Sequence, residues 1–149
     1  MRTQRALICV AIACVMGTVG CDAIRELIVG RVVEPRLTGP FLNAPDVTQI
    51  GQSTPDPITT AASSIHFLWT HPEASEGTSY QCRIVAVNVQ GVEPNTEVGI
   101  VGGTSAANTI GGQIQFDMEP GTLLPGSYRA EISLQGQQFA TVEFEVRQG

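Results

Sequence analysis

Residues 125–146 read PGSYRAEISLQGQQFATVEFEV, two runs of alternating apolar and polar residues that flank a polar turn containing Gly136. This pattern predicts a β-hairpin with one face in a core, because successive side chains of a strand point to opposite faces. The residues expected to face the core are Tyr128, Ala130, Ile132, Leu134, Ala140, Val142, Phe144 and Val146. Those expected to face water are Arg129, Glu131, Ser133, Thr141, Glu143 and Glu145. A hairpin is marginally stable alone, so the preceding strands must complete its sheet and supply a facing layer.

The composition favours a β protein and argues against two classes of partner. The 149 residues include 16 glycines and 9 prolines, only 15% are charged, and all eight cationic side chains are arginines. This content suits a turn-rich β domain better than a helical bundle. The formal charge of −6 repels phosphate backbones and anionic lipid. We therefore expect no nucleic-acid partner and no membrane adhesion through basic residues.

The N-terminus is typical of an export signal. Arg2 and Arg5 precede an uncharged, mostly apolar run at residues 6–20, which is shorter than the roughly 20 residues that a transmembrane helix needs. The stretch Gly17-Thr18-Val19-Gly20-Cys21 resembles the lipobox of bacterial lipoproteins. The resemblance implies that residues 1–20 are a lipoprotein signal peptide, that diacylglycerol is attached to the Cys21 thiol, and that Cys21 begins the mature chain.

Two alternatives remain for this segment. Cys14 follows a similar run, although cleavage before it would leave an apolar core of only eight residues. Ordinary secretion or an uncleaved anchor would leave Cys21 unmodified. If Cys21 is lipidated, two or three acyl chains would hold the protein durably at a membrane, since each buried methylene contributes about 0.8 kcal/mol.

Residues 21–64 are interpreted as a lipid-anchored, proline-rich tether. Five prolines interrupt regular structure there, with Gly, Ser, Thr and Asp between them: Pro35, Pro40, Pro45, Pro55 and Pro57. A wholly flexible segment of this length would span about 36 Å root-mean-square. Residues 23–33 are open to two interpretations, a short amphipathic helix or an extended apolar segment. Phe41, Leu42, Val47 and Ile50 are too apolar for a pure linker, so one short strand in this segment could pair with the domain edge.

Residues 65–149 are interpreted as the folded domain. Short strands recur there at about ten-residue spacing, which is typical of an antiparallel sandwich or barrel. The expected strands are residues 65–70, 80–89, 97–101, 110–118, 128–134 and 140–146. In residues 80–89 the alternation shifts midway, so either both faces are covered or a bulge changes the register.

The stretch Leu124-Pro125-Gly126-Ser127-Tyr128 resembles the tyrosine corner of immunoglobulin-like (Ig-like) domains. The resemblance implies an all-β fold with a single Ig-like antiparallel β-sandwich of about seven strands, like those appended to many bacterial surface lipoproteins. In it, Tyr128 bonds back to the preceding turn and Trp69 is the central core aromatic. Cys82 has no cysteine partner in the mature domain, so burial of the core must stabilise the domain alone, as in fibronectin type III-like relatives.

The histidines and the remaining cysteine do not predict a catalytic or metal site. His66 and His71 lack a third ligand for zinc, and their spacing puts them on opposite faces of a strand. Cys82 is flanked by Tyr80 and Ile84 on an apolar face, so we expect a buried core thiol rather than a nucleophile.

The acidic and glycine-rich positions do not predict a binding site either. Glu143 and Glu145 share a strand face and could bind a cation with Glu131 opposite, but such faces are ordinarily solvated. The glycine pairs at 102–103 and 111–112 lack the lysine and strand-to-helix context of phosphate-binding loops, and we expect them in loops. The sequence therefore predicts no catalytic residue, no cofactor and no metal.

These observations favour a non-enzymatic lipoprotein of the bacterial cell envelope, anchored to the inner or outer membrane through lipid on Cys21. Its Ig-like domain would act as an interaction or structural module, with another envelope protein as partner. The alternative is a small-ligand or glycan-binding module that uses the sandwich-end loops around residues 73–78 and 102–108. Trp69 and Tyr80 could stack on a sugar there, although with eight aromatics in the chain we expect the core to need them.

Overall fold

The computed structural model describes residues 33–45, 54–107 and 109–149. These residues form no helix, and their strands are β1 (Arg36–Phe41), β2 (Ile58–Thr59), β3 (Ser64–Thr70), β4 (Ser79–Val89), β5 (Glu97–Thr104), β6 (Gly111–Asp117), β7 (Gly126–Leu134) and β8 (Gln137–Arg147). The predicted all-β class is confirmed. The described residues include no helix that is long and apolar enough to cross a membrane.

The strands form two sheets. The larger has the order β2-β8-β7-β4-β5, and the smaller has the order β1-β3-β6. Neighbouring strands are antiparallel except β2 and β8, which run parallel and pair only at Ile58 with Val146 and at Thr59 with Arg147. Each of the six strands predicted from residue 65 onward has a counterpart, β3 to β8.

The hairpin at residues 125–146 is present as β7 and β8. Its turn is Gln135-Gly136, and both residues have positive φ, 49° and 80°, as a type I′ turn requires. The predicted core-facing residues of β7 are buried, as are Phe144 and Val146 of β8, while Ala140 and Val142 are half-buried. The hairpin prediction is therefore confirmed for its core face.

The inner faces of the two sheets share one hydrophobic core. Trp69 of β3 lies against Tyr80 of β4, with ring centroids 5.0 Å apart, and Phe67 of β3 lies 6.0 Å from Phe144 of β8. Tyr128 stacks on Phe144 at 5.7 Å. Because the contacts of Trp69 and Phe67 join strands of both sheets, burial of these rings helps hold the two sheets together.

Irregular pairing explains the changed alternation in β4. Tyr80, Cys82 and Ile84 alternate with exposed neighbours, whereas Val85 and Ala86 are both buried. The register to β5 shifts after Ile84, and the register to β7 shifts after Ala86. Of the two alternatives left open for this segment, a bulge-like irregularity is thus present.

Part of the segment interpreted as a tether belongs to the sheets. β1 pairs with β3 and β2 pairs with β8, and Leu37, Phe41 and Ile58 are buried. Among the described residues, the strands therefore begin at Arg36 rather than at Ile65, and the short strand allowed for in this segment is present at Phe41 as part of β1. Val47 and Ile50 lie outside the described residues. Gly39 and Pro40 interrupt the alternation of β1, which is why its pattern is weak in the sequence. Residues 1–32 and 46–53 of the signal and tether lie outside the described residues.

The prediction that the paired glycines lie in loops is wrong. Gly102 and Gly103 are in β5, and Gly111 and Gly112 are in β6. Gly103 pairs with Tyr80, and Gly112 pairs with Trp69. A Cβ at Gly103 would lie 2.9 Å from Tyr80 Oη, and one at Gly112 would lie 2.9 Å from Trp69 Nε1, so the two large rings occupy the space that these glycines leave.

Candidate functional site

The proposed lipid-attachment residue, Cys21, lies outside the described residues, as does its rival Cys14. In the described part of the chain the cysteine is Cys82, which is fully buried and forms no disulfide. Burial raises the pKa of its thiol, because the thiolate is disfavoured away from water, and the charge of Glu131 raises it further. The expected core thiol is confirmed, and its raised pKa opposes a nucleophilic role.

The two histidines have separate environments. His66 is buried on the face of β3 opposite the core, and its ring lies 3.3 Å from Gln113 Nε2 and 3.4 Å from Ser64 Oγ. Burial lowers the pKa of His66, and the charge of Asp117 offsets this only in part. His71 follows β3, and its ring packs edge-on against Phe139 at 4.7 Å.

No metal centre is formed by these side chains. Within residues 33–45, 54–107 and 109–149, no group of three or more His, Cys, Asp or Glu side chains is placed to hold a metal ion.

The most developed polar cluster lies on the outer face of the larger sheet. Arg83 donates from Nε to Glu131 Oε2 at 2.7 Å, and Arg129 donates from Nε to Glu131 Oε1 at 2.8 Å. Each guanidinium also places Nη2 at 2.7 Å or 2.8 Å from the same carboxylate oxygen. Arg129 Nη2 further donates to Asn95 Oδ1 at 3.2 Å, which ties the loop between β4 and β5 to the cluster.

This cluster corrects the expectation that Glu131 faces water. The residue is on the predicted face, but the two arginines cover it and leave it 5% exposed. Burial alone would raise the pKa of Glu131; hydrogen bonds and charges from Arg129 and Arg83 outweigh that effect and hold the pKa below its ordinary value. Because two guanidiniums already occupy its carboxylate, Glu131 is not free to bind a cation with Glu143 and Glu145.

The loops considered for ligand binding lie side by side at one end of the sheets. Gly77 N donates to Ser105 O at 2.9 Å, and Ser105 N donates to Thr78 O at 2.8 Å. Trp69 and Tyr80 are buried beneath them, 1% and 6% exposed, so neither ring presents a face to a sugar. The half-buried ring pair at this end is His71 with Phe139. Asn108 lies outside the described residues.

The side chains of Trp69 and Ser105 also lack hydrogen-bond partners. Trp69 Nε1 and Ser105 Oγ are buried with no partner in the structure.

The chain matches no protein-family model and no curated protein. Solved structures similar to it include an alkylpurine DNA glycosylase from Pseudomonas fluorescens bound to DNA with an abasic-site analogue (15% identity, 56% of this chain and 25% of that one, TM-score 0.35). Another is a β-glucosidase from Kluyveromyces marxianus (12% identity, 57% of this chain and 12% of that one, TM-score 0.38). A third is a β-glucosidase from Bifidobacterium adolescentis (12% identity, 76% of this chain and 17% of that one, TM-score 0.41). This chain therefore spans a quarter or less of the length of these proteins, and we infer no function from similarities of this size.

Proposed function

We propose that this chain is a lipoprotein of the bacterial cell envelope, anchored to the inner or outer membrane through lipid on Cys21. Its β domain acts as a non-enzymatic interaction or structural module, with another envelope protein as partner. The lipobox-like stretch Gly17-Thr18-Val19-Gly20-Cys21, after a basic lead and a short apolar run, supports the anchor.

We further propose that the two sheets form an Ig-like sandwich. The observation that carries this is the hydrogen bond from Tyr128 Oη to Leu124 O, 2.8 Å long, because it is the contact of a tyrosine corner. The sheet orders support it too, since β1-β3-β6 corresponds to strands A, B and E of an Ig-like domain and β4-β7-β8 to strands C, F and G. This fold differs from a constant-type Ig domain in β5, which pairs with β4 of the larger sheet rather than with β6 of the smaller sheet.

The environments of the candidate chemical groups support a non-enzymatic role. Cys82 is buried with a raised pKa, His66 is held by Gln113 and Ser64, and Glu131 is neutralised by two arginines. Each of these reactive groups is thus engaged in the fold, which favours a surface-based function such as binding.

The anchor is tested by intact mass and detergent partitioning of the full chain expressed in a bacterium. We expect a mass that corresponds to a chain starting at Cys21 plus acyl groups, and partitioning into the detergent phase. Cys21→Ala should carry no acyl groups and should not partition into the detergent phase, whereas the matched control Cys14→Ala should behave as wild type. Equal behaviour of wild type and Cys21→Ala would contradict the lipoprotein proposal.

A second candidate is a glycan-binding or other small-ligand module at the loop end. The observation in its favour is that the backbone hydrogen bonds between Gly77, Thr78 and Ser105 bring the two loops together beside His71 and Phe139. A glycan array tests it. Binding that Phe139→Ala abolishes would favour this function over the interaction module, and an array without binding would dismiss it.

A further inference from the structure

The outer face of the smaller sheet carries a buried patch that is separate from the core between the sheets. Leu68 of β3 alternates with Phe67 and Trp69, so it lies on the opposite face, and it is only 1% exposed. Phe41 of β1 pairs with His66 of β3, and both are buried too. Neither Phe41 nor Leu68 belongs to the hydrophobic core that the two sheets share. We call Phe41, His66 and Leu68 the outer patch.

The two sheets do not cover the outer patch. The larger sheet packs on the other face of β3, where Phe67 and Trp69 contact it. Among the described residues no strand forms a third layer. Thr38 and Gln113 flank Leu68 in the sheet, and both are themselves only half-buried. Because an apolar sheet face is buried by packing against another element, the burial of Leu68 calls for a covering segment from elsewhere in the chain.

The chain before β1 approaches the outer patch directly. Thr70 shares the strand face of His66 and Leu68, and its Oγ1 donates to Glu34 O at 2.9 Å. Val33, the residue before Glu34, is half-buried. The backbone that leads into β1 is therefore held at one end of the outer patch, and the preceding residues reach the fold at this point.

The composition and the length of residues 23–32 suit the outer patch. Six of these ten residues are apolar: Ala23, Ile24, Leu27, Ile28, Val29 and Val32. Residues 46–53 contain only two apolar side chains. Between His66 and Thr70, β3 is about 13 Å long. Ten residues span about 15 Å as a helix and about 33 Å when extended, so either conformation considered for this segment is long enough.

We infer that residues 23–32 dock on the outer face of the smaller sheet and cover Phe41 and Leu68 with their apolar side chains. Only Asp22 then separates the docked segment from Cys21. The domain consequently lies close to the membrane rather than at the end of a flexible spacer. This placement rests on the proposed lipid anchor, whereas the docking itself does not depend on it.

The test is photocrosslinking within the full chain in detergent. The photoreactive residue p-benzoylphenylalanine replaces Thr38, which lies beside Leu68 on the outer face, and peptide mass spectrometry of the monomer locates the crosslinks. We expect crosslinks to residues 23–32. The matched control places the same probe at Thr141, across from Glu131 on the outer face of the larger sheet, and should give no crosslink to that segment.

A second measurement tests whether apolar side chains hold the segment in place. Leu27→Ser/Ile28→Ser should lower the yield of the Thr38 crosslink at least about tenfold, because it removes two side chains whose burial favours docking. The matched control Arg25→Ser/Glu26→Ser changes two charged side chains of the same segment and should alter the yield less than about twofold. Circular dichroism checks that both double variants keep the β fold.

Three results would overturn the inference. They are crosslinks from Thr38 that omit residues 23–32, including crosslinks to residues 46–53 instead; equal crosslinking of the segment from Thr38 and Thr141; and an equal loss of yield in both double variants. The crosslinks form within one chain, so they report docking whether or not Cys21 carries lipid. The mass of the Cys21 variant tests the anchor separately, so failure of one proposal is distinguishable from failure of the other.

Discussion

Glu131 shows how a strand pattern can identify the face of a side chain without its environment. Alternation in β7 puts Glu131 opposite the core, and that face is correct. Its burial arises because the β4–β7 register sets Arg83 directly across from it, while Arg129 lies two residues away on the same face. Arginine side chains can cover neighbours while their charged ends stay near water. The result is a paired charge on an outer face rather than a solvated one.

We expect Glu131→Gln to lower the free energy of unfolding by about 1–3 kcal/mol, since it weakens two charge-assisted interactions. The lower part of this range is favoured because Arg83 is 48% exposed and solvent screens its charge. Glu143→Gln, a substitution of an exposed glutamate opposite Arg129 in the neighbouring strand, is the control and should change the stability by less than about 0.5 kcal/mol. Urea denaturation at neutral pH measures both.

The same variant should alter the dependence of stability on pH. The folded-state pKa of Glu131 is lowered, so its contribution is full above the ordinary glutamate pKa of about 4.3 and is lost as pH falls through the folded-state pKa. The stability of Glu131→Gln should thus fall less steeply in acid than that of wild type. Protonation of His66, whose pKa is lowered in the folded state, also reduces the stability of the protein in acid, but equally in wild type and in the variant. Parallel curves would contradict this assignment.

At the scale of strands, two aromatic–glycine pairs organise one end of the core. Tyr80 of β4 lies over Gly103 of β5, and Trp69 of β3 lies over Gly112 of β6. The two rings also contact each other across the sheets at 5.0 Å. Glycine weakens a strand by its backbone freedom, but here it lets a large ring lie flat against the neighbouring strand. These glycines are therefore part of the core packing.

We expect Gly103→Ala to destabilise the protein by about 1–3 kcal/mol, because the added methyl group would overlap the Tyr80 ring and the core must shift to admit it. The adjacent Gly102 is exposed, and a Cβ there would lie 3.2 Å from the main-chain oxygen of Tyr80 with no ring contact. Gly102→Ala should therefore cost clearly less. Thermal unfolding of both variants makes the comparison, and equal effects would argue against ring packing as the cause.

At the scale of the whole molecule, β1 and β2 complete the two sheets. β1 is an edge of the smaller sheet and β2 an edge of the larger, and they bury Leu37, Phe41 and Ile58. Each such side chain contributes about 1.5–3 kcal/mol. Their sum is comparable to the entire stability of an ordinary domain, about 5–15 kcal/mol. The folded unit thus depends on residues well before Ile65.

We expect a chain of residues 33–149 to unfold cooperatively in urea, and a chain of residues 65–149, which lacks β1 and β2, to lose most of that stability. The longer chain is the control for removal of residues 1–32 alone. Circular dichroism and the urea midpoint report the outcome. An unchanged midpoint for residues 65–149 would mean that β1 and β2 are dispensable and that the boundary at Ile65 is correct.

The all-β class, the approximate positions of β3 to β8, the core face of the final hairpin and the burial of Cys82 could be predicted from the amino-acid sequence. These follow from alternation within single strands and from turn residues such as Gly136, which are local properties. Three features could not be predicted from the sequence: which strands β1 and β2 pair with, the cover of Arg83 over Glu131, and the position of Tyr80 over Gly103. The physical reason is strand register, because Arg83 and Glu131 are 48 residues apart and the alternation of either strand says nothing about which residues of the other lie across from it.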